Sequence, residues 1–403
     1  MEKALVLGGT SPHIDLICKL KDKGYYTVLV DYLDNPPAKS YADKYIKEST
    51  LDKESVLRAA REENVKAVFC ACIDQANATA CYVAEALGLS RPYSYETALE
   101  VTRKEYMKRI FAENGILSAE YYTIEETGQL EADRIAYPVV VKPSDCNSSK
   151  GVVRADNEKD LYDAAEQALR LSRTHTAVIE SYIDGPEIQV DCFIENGNAK
   201  VLMTRQKKKA DRNSGIALNS YGSVIPAVMT DRLYDEASRT AQKIAEAFGL
   251  NNTPMFYQAI ICNDHIYVLE FAPRIGGGLS SVLLKKIAGV DILDASIDSY
   301  LGIPVEVRPK ISKKFFSTNL IYVKSGVIGR IDGLKELEEK GIIDEYKVYK
   351  KQGDVIDDDM RSTNRVCSYI ISADSTVSLD EKEKKALDNI VITDINNAIM
   401  QRR

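Results

Sequence analysis

The chain has no tryptophan, which by itself excludes nothing, and only three histidines in 403 residues: His13, His175 and His265. They lie far apart in sequence, which disfavours a histidine-rich metal centre or a Ser–His–Asp hydrolase. None of the eight cysteines forms a Cys-x-x-Cys pair. Cys70 and Cys72 sit in the strand-like run VFCACI and read as buried thiols. Scattered cysteines of this kind fit a reducing cytosol and argue against zinc. Apolar runs are short. None approaches the roughly 18 residues of a membrane span, and MEKALVLGG is too brief an apolar start for a signal peptide. A cytoplasmic location with no membrane partner is therefore expected. Excess positive charge is also missing: the net charge is −7, which argues against nucleic acid as a partner. No Walker A pattern, G-x-x-x-x-G-K-[ST], occurs anywhere in the chain.

The remaining composition, 45% hydrophobic and 28% charged, is that of an ordinary globular protein. The length calls for two or three domains. Residues 1–95 alternate strands and helices: Ala4–Leu7, a helix opened by Ser11 and Pro12, Tyr26–Val30, Val65–Cys72, and a helix Gln75–Leu87. This order implies a parallel sheet with helices on both faces. Gly8-Gly9 after the first strand and Asp31 after the second imitate a dinucleotide site, but G-G-T-S-P-H lacks the full G-x-G-x-x-G spacing. Residues 96–114 read as one helix. From about residue 310 short strands and turns dominate, and Leu379–Arg403 reads as a helical tail.

Three segments carry the chemistry. In Phe256–Gly278, two apolar alternating runs flank Asn263-Asp264-His265, a three-residue hairpin signal. If Cys262 pairs with Ile266, then Ile260 faces Val268 and Gln258 faces Glu270. Directly opposed side chains share a face, and two oxygen ligands there suit a hard cation such as Mg²⁺. Arg274 follows four residues later. In Ala136–Pro143 a buried apolar strand runs into Lys142, whose ammonium needs a counter-charge, an exposed strand end being the alternative. The loop Asn147-Ser148-Ser149-Lys150-Gly151 offers hydroxyls and backbone N–H groups of the kind that close over phosphates. In Ala177–Glu187 a strand exits at Glu180 and turns through Gly185-Pro186. Its backbone from Glu180 to Ile183 could pair with a purine edge, and Glu187 could accept from ribose hydroxyls. The bland reading of the same segment is a polar turn.

The order Lys104, Lys142, Ser148-Ser149-x-Gly151, Glu180-x-x-Ile183-x-Gly185-x-Glu187, Gln258, Glu270, Arg274 resembles the ATP-grasp superfamily. The likeness is to its biotin carboxylase and carbamoyl-phosphate synthase branch, especially the L-amino-acid ligases, and covers about residues 1–400. It implies a multidomain α/β and α+β protein. A Rossmann-like domain would span 1–95, an ATP-grasp core of two α+β subdomains 96–309, and a small β-rich domain 310–403. It also implies an ATP-dependent carboxylate–amine ligase working through an acyl-phosphate, with small-molecule acid and amine substrates. Relatives of this kind often dimerise, so a homodimer is compatible with it. By the resemblance, Lys104 and Lys142 contact ATP phosphates, and Ser148, Ser149 and Gly151 form a lid. Glu180 and Ile183 hold adenine and Glu187 holds ribose. Gln258 and Glu270 hold Mg²⁺, with Mn²⁺ as an alternative. Arg274 and Gly276-Gly277-Gly278 stand where the acyl group is activated, with Arg274 and Lys142 as catalytic groups.

One departure is visible. The family pattern Glu-x-Asn-Pro-Arg here reads Glu270-Phe271-Ala272-Pro273-Arg274, and Ala272 cannot bind metal. A rival reading is therefore a nucleotide-binding regulatory or scaffold protein with impaired catalysis. A second rival is a nicotinamide enzyme using the front domain. The basic run Arg205–Lys209 reads as a solvated loop, with recognition of an anionic substrate as the alternative. Asp211–Ser223 is expected to border the substrate site, and the acidic loop Asp354–Asp359 to be solvated surface.

Overall fold

In the computed structural model, which describes residues 1–146, 150–209, 220–357 and 364–401, the front of the chain builds a four-stranded, all-parallel sheet. Lys3–Leu7 lies between Tyr26–Asp31 and Ala67–Phe69, and Lys44–Lys47 pairs on the far side of Tyr26–Asp31. The central strands are apolar throughout and buried to the last atom: Ala4, Leu5, Val6 and Leu7 expose nothing. That is the pattern of a strand covered on both faces. The helix Ser11–Asp22 is capped by Thr10 rather than Ser11, with Pro12 in its first turn. Lys53–Glu63 supplies a helix that the sequence reading passed over. Its N-cap is Asp52, whose side chain accepts from the Ser55 N–H.

The dinucleotide-like loop is filled by the protein itself. A Cβ on Gly9 would stand 2.5 Å from the Pro36 side chain, and one on Gly8 would stand 2.6 Å from Ile73. The Asp31 carboxylate accepts from the Gly9 N–H at 2.7 Å. These contacts give the glycines and Asp31 a structural task, closing the strand ends around His13. Burial pushes the His13 imidazole down to about 4.

The expected single helix over 96–114 is two helices, Tyr95–Glu100 and Lys104–Glu113. Arg103, extended at φ −116°, breaks them and makes Lys104 a helix start. Beyond lies an antiparallel sheet in the order Tyr121–Ile124, Ala177–Ser181, Val139–Pro143, Val153–Ala155. The amphipathic helix Glu158–Leu171 covers it with Leu161, Ala164, Ala165 and Ala168.

The chain divides into two compact units. The first comprises residues 1–185, 189–203 and 229–311, and the second 186–188, 204–228 and 312–403. In the second, Ser220–Ile225, Phe315–Ile321, Cys367–Ala373 and Glu345–Val348 form successive antiparallel pairs. A small sheet groups Val355–Ile356, Gly326–Asp332 and Val391–Asp394.

Two expectations are corrected here. The tail is helical only over Thr376–Asn389, and the β-branched run Val391-Ile392-Thr393 leaves it as a strand. The basic run Arg205–Lys209 is not a loop but the end of the strand Asn198–Lys209. Most of Asp211–Ser223, and the end of the acidic loop Asp354–Asp359, lie outside the described residues.

Candidate nucleotide and metal site

Within the first unit, the hairpin Thr253–Cys262 and His265–Ala272 sets Gln258 directly opposite Glu270. The expected pairing of these two residues stands, but the expected route to it does not. The turn holds two residues, Asn263 and Asp264, both left-handed at φ 48° and 59°. This is the two-residue hairpin geometry that Asn and Asp tolerate. Cys262 therefore pairs with His265 rather than Ile266, and Ile260 with Tyr267 rather than Val268. A β-bulge between Gln258 and Ala259 leaves Leu269 as the extra residue, shifts the ladder by one, and restores the Gln258–Glu270 pair. Ala272 pairs with Phe256 and is 4% exposed.

The residues fit an oxygen-coordinated cation in donor type: one amide and one carboxylate, directly opposed. Among the described residues no group of three or more His, Cys, Asp or Glu side chains is arranged to hold a metal. A cation here would take two protein oxygens and draw its remaining ligands from water or a bound phosphate, the habit of Mg²⁺.

The same unit gathers three lysines. Lys104 opens its helix, and its buried ammonium donates to the backbone oxygens of Cys146 at 2.6 Å and Ser144 at 3.3 Å. It thereby pins the chain at the foot of the Ser148-Ser149 loop, which itself lies outside the described residues. Burial lowers the Lys104 ammonium below its usual range, while Glu270 opposes that shift and Lys142 adds to it. Lys142, at the end of Val139–Pro143, finds the counter-charge its position demands in Glu180, at 2.5 Å. Lys108, one helical turn beyond Lys104, approaches the same Glu180 oxygen at 3.3 Å. The sequence reading missed Lys108. Its signal was the i, i+4 spacing from Lys104, which puts both ammoniums on one helix face.

Glu180 is 3% exposed. Burial raises its carboxyl, but Lys142 and Lys108 more than offset that and hold it below the usual range. The expectation for this residue rested mainly on its backbone, whereas its side chain is the hub of the lysine cluster. Past it the strand loosens. The N–H groups of Ser181 and Tyr182 donate to Glu120 O and Pro138 O, and Ile183 is half-buried past the strand end. Gly185 comes so close to the hairpin that a Cβ there would meet Ile261 O at 2.0 Å. Gly151 has φ +74° and is walled by Leu171 and Pro143.

Arg274 is held rather than free. Its Nε and Nη2 donate to the two Asp74 oxygens at 2.5 and 2.6 Å, and Nη1 donates to Ile275 O at 2.9 Å. Its guanidinium lies 5.1 Å from the Phe256 ring centroid. Asp74 is a second residue the sequence reading missed, since nothing local links it to position 274. Gly276 is buried and Gly277 exposed, and Gly278, at φ +68°, leads into the helix Ser280–Ala288.

Glu187 belongs to the second unit. Its carboxylate is gripped by Lys207 and by Lys209, the latter at 2.5 Å. Burial works against the charge, but the two lysines bring the carboxyl down to about 2. Strand alternation sends Lys208 to the other face, where it pairs with Glu383.

Residues 135–282 match the sequence model of the ATP-grasp domain. Solved structures of similar fold span nearly the whole chain. An L-amino acid ligase from Bacillus licheniformis superposes with a TM-score of 0.82 at 21% identity, covering 98% of this chain and 99% of that one. A phosphoribosylglycinamide synthetase from Anaerococcus prevotii gives 0.76 at 19% identity, over 98% and 99%. The biotin carboxylase domain dimer of a Hydrogenobacter thermophilus 2-oxoglutarate carboxylase, in complex with MgADP, ADP and bicarbonate, gives 0.76 at 18%, over 99% and 91%. At these identities the likeness is one of fold.

Proposed function

We propose, for a chain whose residues 135–282 are an ATP-grasp domain, that it is an ATP-dependent ligase joining a small carboxylic acid to an amine through an acyl-phosphate. The observation that carries this reading is the charge cluster of the first unit. Three buried or nearly buried ammoniums, Lys104, Lys108 and Lys142, share one electrostatic neighbourhood with the carboxylates of Glu180 and Glu270. The cluster keeps a positive surplus inside protein, which is costly unless an anion supplies the balance. A triphosphate does so.

In this reading Lys104 and Lys142 hold the phosphates. Glu180 with the chain to Ile183 receives the adenine. Gln258 and Glu270 would hold Mg²⁺, or Mn²⁺, which neutralises charge on the β- and γ-phosphate oxygens. A carboxylate oxygen of the substrate attacks the γ-phosphorus, the bond to the β-phosphate oxygen breaks, and ADP leaves. The amine nitrogen then attacks the acyl carbon, and the tetrahedral oxyanion collapses with loss of phosphate. Of the three hydrogens on the ammonium form of the amine, one stays in the amide, one ends on phosphate and one is released. The protein's part is positioning and charge stabilisation. Arg274 suits the oxyanion: among the described residues three of its five N–H groups are engaged, leaving one on each Nη. Gly276-Gly277-Gly278 gives an acyl group room beside it.

The test is ADP release with Mg²⁺-ATP across a panel of carboxylates and amines, amino acids first. Hydroxylamine replaces the amine in a second arm to trap the acyl-phosphate as a hydroxamate. Acid-dependent ADP release with hydroxamate formation is expected. Ala272, where a third metal ligand would stand, favours the rival reading of a nucleotide-binding protein without turnover. That rival predicts ATP binding with no ADP release from any pair. The expected homodimer and a cytoplasmic setting belong to the same proposal. All eight cysteines are unpaired thiols, and light scattering reads the dimer directly.

A further inference from the structure

We propose that Lys108 is a positioning residue of the nucleotide site, sharing Oε1 of Glu180 with Lys142 so that the Lys142 ammonium keeps its charge available for phosphate. The proposal rests on the ATP-binding reading above and adds a residue that the motif pattern does not contain.

Lys108 is 1% exposed, the most deeply buried lysine among the described residues. Its Nζ stands 3.3 Å from Glu180 Oε1, at ion-pair distance. A buried ammonium is a poor stability device, and an apolar side chain of similar length usually serves better. Its contribution is therefore charge. Glu180 with Lys142 alone would form a neutral pair, and the 2.5 Å contact would spend the Lys142 charge on Glu180. With Lys108 on the same oxygen, one carboxylate is shared by two ammoniums and a full positive charge remains. Lys142 opposes the Lys108 charge, and Glu270 is the other charged group that acts on it, in its favour. Burial, set against Glu180, leaves its ammonium at about 8, so the surplus exists at neutral pH and fades in mild alkali.

The experiment compares wild type, K108M, K108R, E180Q and K108M/E180Q. With Mg²⁺-ATP and the best substrate pair, K108M is expected to raise the KM for ATP about tenfold while kcat stays within about twofold. K108R should restore much of the affinity. Binding of a non-hydrolysable ATP analogue should weaken in wild type as pH rises through about 8, and stay level in K108R, whose guanidinium keeps its proton. This pH comparison also decides the matter should K108M fail to fold. In nucleotide-free protein, unfolding midpoints complete a double-mutant cycle. E180Q leaves two ammoniums facing each other, and removing Lys108 should recover part of that loss. Wild-type analogue affinity in K108M, an identical pH profile in K108R, or strictly additive unfolding effects would overturn the proposal. No binding by wild type at any pH would overturn the ATP-binding reading and this proposal with it. Normal wild-type binding with an indifferent K108M would remove only this proposal.

Discussion

Arg274 and Asp74 meet through both carboxylate oxygens, at 2.5 and 2.6 Å, across 200 positions of sequence. The pair ties the residue that follows the candidate metal strand to the first turn of the helix Asp74–Ala86. Burial works against the Arg274 charge, but Asp74 raises the guanidinium above its already high value, so it stays charged at every working pH. Removing one partner of such a pair strands the other charge, at a typical cost of about 3–5 kcal/mol. Asp74→Ala should therefore lower the unfolding midpoint. It should also cut kcat more than it raises the KM for ATP, because the guanidinium loses its fixed direction. Arg274→Met in the same background should recover stability but not activity. A D74A protein with wild-type kcat would show that the orientation of Arg274 is irrelevant to turnover.

Gly185 offers a steric test of the turn that follows Glu180. A methyl group there would overlap Ile261 O at 2.0 Å, and the obstacle is backbone, which cannot rotate aside. Gly185→Ala should push the 184–186 turn off the hairpin and destabilise the protein by about 1–3 kcal/mol. Gly197→Ala is the control: its Cβ meets nothing, though φ +76° adds some strain. Chemical denaturation should find G185A clearly the weaker of the two. Equal midpoints would mean that the turn yields without cost.

Glu187 predicts an acid-sensitive contribution to stability. Its folded carboxyl is depressed from 4.5 to about 2 by Lys207 and Lys209. A depressed acid binds fewer protons folded than unfolded between those two values. Its contribution is thus whole above about pH 4.5 and is lost as pH falls towards 2. The shift corresponds to about 3 kcal/mol as an order of magnitude. The difference in unfolding free energy between wild type and Glu187→Gln should be largest at pH 6–7 and shrink steadily on acidification. A difference that does not change with pH would remove the two lysines as the cause.

Much of the architecture could be read from local chemistry. A buried strand ending in Lys142 demanded a counter-charge, and Glu180 supplies it. Thr230 caps the helix Asp231–Ala247 by accepting from the Leu233 N–H. What escaped was set by tertiary contact. The bulge at Leu269 has no sequence signature, and the correct Gln258–Glu270 pair emerged from a wrong turn length and an unseen shift that cancel. Lys108 carried no local sign of its role, because Glu180 reaches it from 72 positions away. Lys207, Lys208 and Lys209 looked like solvated loop because strand pairing of a lysine run needs acids from both faces, and Glu187 and Glu383 are remote in sequence. Asp74 could not be matched to Arg274 without the fold.

The candidate metal pair yields the final prediction. Gln258 and Glu270 present one neutral oxygen donor and one charged donor from opposed positions, while Ala272 occupies the next place on the same strand face. Glu270→Gln removes the only formal charge of the pair and should abolish Mg²⁺-dependent ATP turnover. The fold should survive, since Glu270 is only half-buried. Ala272→Asn adds an oxygen where none exists and should lower the Mg²⁺ concentration that gives half-maximal turnover, severalfold if the side chain fits. Ala272 is buried against Phe256, so the same change should cost stability, about 1–3 kcal/mol for overpacking. Titrating Mg²⁺ at saturating ATP, with unfolding midpoints measured beside it, separates the two effects. If E270Q turns over ATP like wild type, the metal assignment fails. If A272N loses stability without any change in Mg²⁺ dependence, the cation lies elsewhere on the hairpin, beyond the reach of position 272.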